Sequence, residues 1–259
     1  MKKEERQRII LDYLAQNRAV TISQLAERIP ASLATLRKDL NELNAQSKLI
    51  RSYGGAILPS RTPQEQFAAT LPRPEKIVNL ELKERIAEEA SRLISDHDTI
   101  FIGCGSTFSV FARYLRKFQN LRVVTTNLNV ACELAATTNS VYFIGGELME
   151  IDGIYYTGGP KIPYELEKVF VNKAFIGVSG VDIKAGLTIY DLTQLNLYSS
   201  IYKIARSLIL VCDKTKFGCQ SAHRIGPIQG YIQTIVTNKE LDPDYKNAIE
   251  EMGIRILTA

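Results

Sequence analysis

Five short clusters of polar residues and glycines in this sequence each follow a Val/Ile-rich run. The run "TIFI" ends in Gly103-Cys104-Gly105-Ser106-Thr107. Thr126-Asn127-Leu128, Gly145-Gly146 and Gly180-Val181-Asp182 follow later runs, and "CDKTKFG" supplies Asp213 and Lys216. Backbone amides that open a helix attract an anion, and glycine lets it come close. Gly105, Ser106 and Thr107 are therefore the candidate cradle for a phosphate. It is not a nucleotide site of a common kind: GxxxxGK[ST] is absent, and Phe108 stands where the third glycine of GxGxxG belongs. Cys104, Cys132, Cys212 and Cys219 are scattered without a CxxC pair, and His97 and His223 sit far apart. A structural metal needs clustered ligands. No metal or cofactor is expected, and the cysteines read as reduced.

Placing those clusters together requires strands and helices in alternation. From Leu80 onward, "LELKERIAEEASRLI", "TFSVFARYLRKF", "NVACELAATT", "DLTQLNLYSSIYKIAR" and "DPDYKNAIEEMG" read as helices. "TIFIG", "LRVVTT", "VYFIGG", "AFIGVSG", "SLILVCD" and "TIVTN" read as strands. The alternation predicts a Rossmann-like, mostly parallel α/β domain over residues 80–259 with helices on both faces. In such sheets ligands bind at the carboxyl ends of the strands, where the five clusters fall.

The first 58 residues differ in charge. They hold ten basic residues against six acidic ones, an excess equal to the whole chain's net charge of +4, so the remainder is balanced. A local positive excess suits a polyanionic partner. Ile9, Ile10, Tyr13 and Leu14 predict a helix over residues 3–17. Thr21 with Gln24 predicts a capping box opening a second helix, with Leu25, Ala26 and Ile29 inward and Pro30 ending it. Ser32 then caps a third helix whose Leu33, Leu36, Leu40 and Leu43 form one apolar stripe.

That stripe leaves Thr35, Arg37, Lys38 and Asn41 outside, in the part of a helix-turn-helix that enters the major groove. Arg and Lys can donate there to guanine edges or phosphates, and Asn suits adenine. A solvated charged face on a small helical bundle is the alternative. "KLIRSYGGAIL", alternating around Gly54-Gly55, adds a two-strand ribbon. The series becomes a winged helix-turn-helix with Arg51 on the wing beside the phosphate backbone. Thr21, Ser32, Thr35, Arg37, Lys38, Asn41 and Arg51 are the candidate DNA contacts. Pro59, Pro63, Pro72 and Pro74 among polar residues predict a linker. The expected organisation is a winged helix-turn-helix over 1–58, a linker over 59–79 and the α/β domain over 80–259.

"SLATLRKDLNELNAQSKLIRSYGGAIL" resembles the signature of the DeoR-type bacterial transcription regulators. That signature reads roughly Ser-x-x-Thr-Ile-Arg-Arg-Asp-Leu, then an Arg-containing strand and Gly-Gly-Ala. Leu36, Lys38 and Ser47 replace its Ile, second Arg and a usual Gly, and Pro30 precedes the turn. The strand-end clusters resemble the same family's sensor domain, which is related to ribose-5-phosphate isomerase and glucosamine-6-phosphate deaminase. "GCGSTFSVFA" is similar to the isomerase phosphate loop and "CDKTK" to its Asp-x-Ser-Lys stretch, while Asp182 and Lys83 fall on an Asp and a Lys of the pattern.

The resemblance implies that Gly105, Ser106 and Thr107 hold a phosphate with help from Lys216 and Lys83. It implies that Asn127 and Asp182 meet sugar hydroxyls and that Asp213 orients Lys216; Gly145 and Gly146, at the end of the third strand, join them as effector-binding candidates. Gly103 and Asn172 stand where the family often has Asp, Gln194 where the isomerase-like pattern has Glu, and Tyr198 and Ser199 where many regulators carry basic residues. Such losses around one pocket imply a different sugar or a weakened site.

Aldose–ketose isomerisation needs a carboxylate base beside the sugar carbons. Gln194 cannot serve, and neither Asp182 nor Asp213 has an evident partner nearby in sequence. The expected function is therefore a DNA-binding regulator, not an enzyme. Its implied partners are double-stranded operator DNA and a phosphorylated sugar that relieves repression. A sugar-phosphate isomerase or deaminase with an appended DNA-binding domain is the alternative. Helix-turn-helix proteins bind repeated half-sites, which predicts a homodimer or homotetramer. "MKKEERQRII" lacks a signal-peptide core, and no apolar stretch approaches membrane-spanning length, so the expected location is the cytoplasm.

Overall fold

The computed structural model describes residues 1, 3–46, 48–52, 54–58, 77–135 and 137–259. All but the last three residues of the expected 59–79 linker lie outside the described residues. The chain divides into two compact units, the boundary falling after residue 71.

The first unit runs α1 (Lys3–Asn17), β1 (Ala19–Thr21), α2 (Ile22–Arg28), α3 (Leu33–Ala45), β2 (Ile50–Ser52) and β3 (Gly55–Ile57). Thr21 and Gln24 form the expected capping box, and the Ser32 hydroxyl accepts from the Thr35 amide at 3.2 Å. Ile10, Leu14, Leu25, Ile29, Leu36, Leu40 and Leu43 converge in one core. The antiparallel order β1-β3-β2 builds the wing. A side chain at Gly55 would put a carbon 2.0 Å from the Val20 carbonyl oxygen, so only glycine lets β3 lie against β1.

Two inward assignments fail. Leu33 is 46% exposed, because it sits one turn before Leu36 and beyond the packed layer, and Ala26 also faces solvent. What secures α3 to α1, besides the leucines, is polar. Arg6 Nε donates to the buried Asp39 carboxylate at 2.7 Å, while Lys3 and Gln7 reach Glu42.

The second unit begins with α4 (Leu80–Ser91), β4 (Thr99–Ile102), α5 (Ser106–Leu115), β5 (Arg122–Thr125), α6 (Leu128–Leu134) and β6 (Ser140–Phe143). It continues through the hairpin β7 (Glu147–Ile151) and β8 (Ile154–Gly158), α7 (Ile162–Leu166), β9 (Lys173–Ile176), β10 (Gly180–Asp182) and β11 (Gly186–Ile189). α8 (Leu195–Ile204), β12 (Leu208–Val211), β13 (His223–Gly226), β14 (Thr234–Thr237), α9 (Pro243–Glu251) and β15 (Arg255–Thr258) complete it. Seven strands form a parallel sheet in the order β15-β14-β12-β9-β4-β5-β6.

Strand alternation divides the core between the two faces of this sheet. Ile100, Ile102, Val123, Phe175 and Val211 meet α4, α5 and α6, whereas Phe101, Val124, Ile176 and Leu210 meet α7, α8 and α9. From β4 the chain builds outward through β5 and β6. It then returns to the other side of β4 and builds outward through β9, β12, β14 and β15. The winding reverses between β4 and β9, which opens a crevice at their carboxyl ends. No described helix is long and apolar enough to cross a membrane.

Candidate functional site

The crevice contains a cavity of about 580 Å³. One end is cationic. The Gly103 amide bonds the Phe175 carbonyl at 2.9 Å, which pins the loop after β4 to β9. Gly105 then turns with φ +119°, a conformation closed to most side chains, and Ser106 starts α5. The first amides of that helix have no carbonyl one turn back to bind, so they point a partial positive charge into the cavity. Lys83 arrives from α4 only 6% exposed, and its Nζ donates to Ser106 Oγ at 2.9 Å and to the Val78 carbonyl at 2.7 Å. Burial holds its pKa below the ordinary lysine value and Lys216 adds to that lowering, while Asp213 and Asp152 oppose it. Lys216 lines the same cavity.

The opposite wall accepts hydrogen bonds. Asp191 takes one from the Tyr156 hydroxyl at 2.6 Å and others from the amide and hydroxyl of Thr193, at 2.9 and 2.7 Å. Burial alone would raise the Asp191 pKa, but these donors outweigh it and leave the carboxyl below its usual range. Gln194, Tyr198 and Ser179 line the cavity nearby, and the Tyr198 hydroxyl donates to the Gly177 carbonyl at 2.5 Å. The β7–β8 hairpin contributes Glu150, Asp152 and Tyr156. Cys104 faces the cavity as a thiol, its pKa pushed up to about 12 by burial.

Of the residues picked from sequence, Lys83, Gly105, Ser106, Thr107 and Lys216 line this cavity. Five others do not, each for a local reason. Asn127 is fully buried, caps α6 through the Val130 amide, and holds Gly103 and Gly105 from behind at 3.5 Å. Gly145 and Gly146 lead into the hairpin, with Gly146 packed against Gly158. Asp182 accepts from the Lys184 and Ala185 amides and closes the β10–β11 turn; those bonds, the Ala185 amide's foremost, lower its pKa. Asp213 caps the turn Lys214–Lys216 and so places Lys216 through the backbone, with no ion pair between them among the described residues.

The residues read as departures also separate. Gln194 and Tyr198 line the cavity, whereas Ser199 faces solvent. Asn172 lies just before β9, at the other end of the sheet, where it accepts from the Thr99 amide at 2.9 Å. A side chain at Gly103 would crowd Phe108 and the Phe175 carbonyl. Asp191 and Tyr156 escaped the sequence reading. Their signal was weak: an Asp before a turn, and a Tyr in a hairpin that no periodicity announced.

In the first unit Arg37, Lys38 and Asn41 are exposed along α3. The hydroxyls of Thr21, Ser32 and Thr35 are engaged in caps and in each other. Arg51 donates from its guanidinium to the Gly55 carbonyl across the wing at 2.9 Å, and its amide binds Asn44 of α3.

A winged helix-turn-helix unit joined to a parallel α/β unit with a partly cationic cavity at its switch point defines a ligand-responsive DNA-binding class. Residues 6–62 match the DeoR-like helix-turn-helix domain, and residues 78–239 match the DeoR C terminal sensor domain. The chain belongs to the DeoR family. It is 32% identical to the glycerol-3-phosphate regulon repressor of Escherichia coli over 88% of each protein. It is 27% identical to the transcriptional regulator GolR of Listeria innocua over 98% of each. Among solved structures, ribose 5-phosphate isomerase A of Methanocaldococcus jannaschii aligns with a TM-score of 0.38 at 17% identity, over 54% of this chain and 55% of that one.

Proposed function

We propose that this protein is a sequence-specific repressor of a carbohydrate operon, released from DNA by a phosphorylated sugar or polyol. Lys83 carries the effector half of the reading. A lysine ammonium is held 6% exposed at the amino terminus of α5, where a phosphoryl group on the Ser106 and Thr107 amides would supply counter-charge. Lys216 adds a second cation, and Asp191 across the cavity suits hydroxyls. An anion at the Asp191 end would be repelled, so monophosphates with a neutral polyol tail should bind better than bisphosphates or phosphorylated sugar acids. The DNA half rests on the family and on Arg37, Lys38 and Asn41, exposed along α3.

The Asp191 carboxylate also bears on an enzymatic reading. A general base for isomerisation works best with a pKa near the working pH. Asp191 is held below the ordinary carboxylate range by donors from Tyr156, Thr193 and Gln194, which suits an acceptor of hydroxyl hydrogen bonds and not a proton shuttle. Sensing needs no chemistry: a ligand that prefers one arrangement of the protein shifts DNA affinity by its differential binding energy, about 1–3 kcal/mol. The reading places the DNA-binding domain at 1–58, the linker at 59–79 and the sensor at 80–259, in a cytoplasmic homodimer or homotetramer.

The test is a thermal-shift panel of phosphorylated sugars and polyols, followed by mobility shifts with the responding compound. A native-state ligand raises the melting midpoint. No shift with any compound, or turnover of one of them, would overturn the sensor assignment.

A further inference from the structure

Leu33 takes no part in the packed core of the first unit. Among the described residues of the first unit, only Met1 and Leu33 are large apolar side chains left largely exposed, Leu33 at 46%. Leu33 opens α3, yet it does not cap the helix, since Ser32 and Thr35 complete the cap between them. Nor does it join the core formed by Leu36, Leu40 and Leu43. Ala34 beside it is exposed, and Arg37 follows one helical turn later on the same face, with Lys38 and Asn41 along the next row. An apolar patch thus sits at the leading tip of an otherwise polar, cationic recognition face.

A leucine side chain cannot bond a phosphate or the polar edge of a base. The apolar group that the major groove presents is the thymine C5-methyl. Residues at the amino-terminal end of a recognition helix are the ones that reach base edges. We propose that Leu33, with Ala34 beside it, packs on a thymine methyl group in each operator half-site and so specifies thymine at one position. The inference rests on the DNA-binding reading and extends it from affinity to base choice.

The experiment starts from a randomised duplex pool, selected in parallel with the full-length protein and with its Leu33→Ala variant. Wild type should enrich duplexes with a fixed thymine in each half-site. Replacing that thymine by deoxyuridine removes the methyl group alone and should weaken wild-type binding about fourfold, the value of burying one methyl group. Leu33→Ala should bind both duplexes equally and lose the thymine preference, with an unchanged melting midpoint because the side chain lies outside the core. Leu33→Gln should move the preference toward adenine, whose edge suits an amide. If Leu33→Ala still discriminates thymine from deoxyuridine, or if no thymine in the selected sites is methyl-sensitive, the assignment is wrong while the DNA-binding reading stands. Failure of wild type to enrich any sequence would remove both.

Discussion

Replacing Lys83 by methionine separates two consequences of one buried charge. Its Nζ donates to Ser106 Oγ at 2.9 Å in the cradle and to the Val78 carbonyl at 2.7 Å. If a phosphoryl group sits on Ser106, Lys83→Met removes a charge-assisted hydrogen bond worth about 1.5–3 kcal/mol. That corresponds to a loss of roughly 10- to 150-fold in effector affinity. Stability should move the other way or not at all. Methionine fills similar space without a charge to desolvate, and the Val78 carbonyl, on a residue 66% exposed, returns to water.

The pH dependence carries the same signature. The pKa of Lys83 in the free protein lies below the unfolded lysine value, so between the two the unfolded chain binds more protons and stability rises with pH. A bound anion raises that pKa again. Effector binding then takes up protons, and affinity falls as pH rises through the free-protein value. Calorimetric titration of wild type and variant with the responding sugar phosphate, in buffers of different ionisation enthalpy, measures both effects. Affinity within threefold of wild type, or an unchanged proton uptake in the variant, would refute the assignment of Lys83 to the anion.

Three further outcomes follow from the same geometry. Asp191→Asn should weaken the responding monophosphate about tenfold through loss of a charged acceptor, while narrowing its advantage over a phosphorylated sugar acid, as read by titration. Arg37→Ala should reduce operator affinity by about five- to 150-fold in mobility shifts without altering the effector-induced thermal shift. Asp39→Ala strips the buried carboxylate partner from Arg6 and should lower the melting midpoint of the first unit by several degrees; the double replacement Arg6→Met with Asp39→Leu should recover much of the loss.

Near-neighbour physics is legible in a sequence, and much of this protein is built from it. The Thr21–Gln24 box, the Ser32 cap, the leucines at 36, 40 and 43, and the glycine turn of the wing each involve residues only a few positions apart. The parallel strands follow from apolar runs, and the proposed cradle follows from one loop whose glycine, serine and threonine are contiguous and line the cavity. Tertiary structure decided what polar residues at strand ends do. An aspartate or asparagine beside a turn can satisfy backbone amides or face a ligand, and the local sequence is the same in both cases. Asn127 and Asp213 cap their turns and Asp182 closes the β10–β11 turn, all three away from the cavity, whereas Asp191 caps its own turn through the Thr193 amide and lines the cavity as well. The strand order put β9 beside β4, which brought Lys83, Ser106, Tyr156, Asp191 and Lys216 around one cavity from widely separated stretches. Periodicity and spacing describe contacts between residues close in the chain; a pocket is made of contacts between residues that are not.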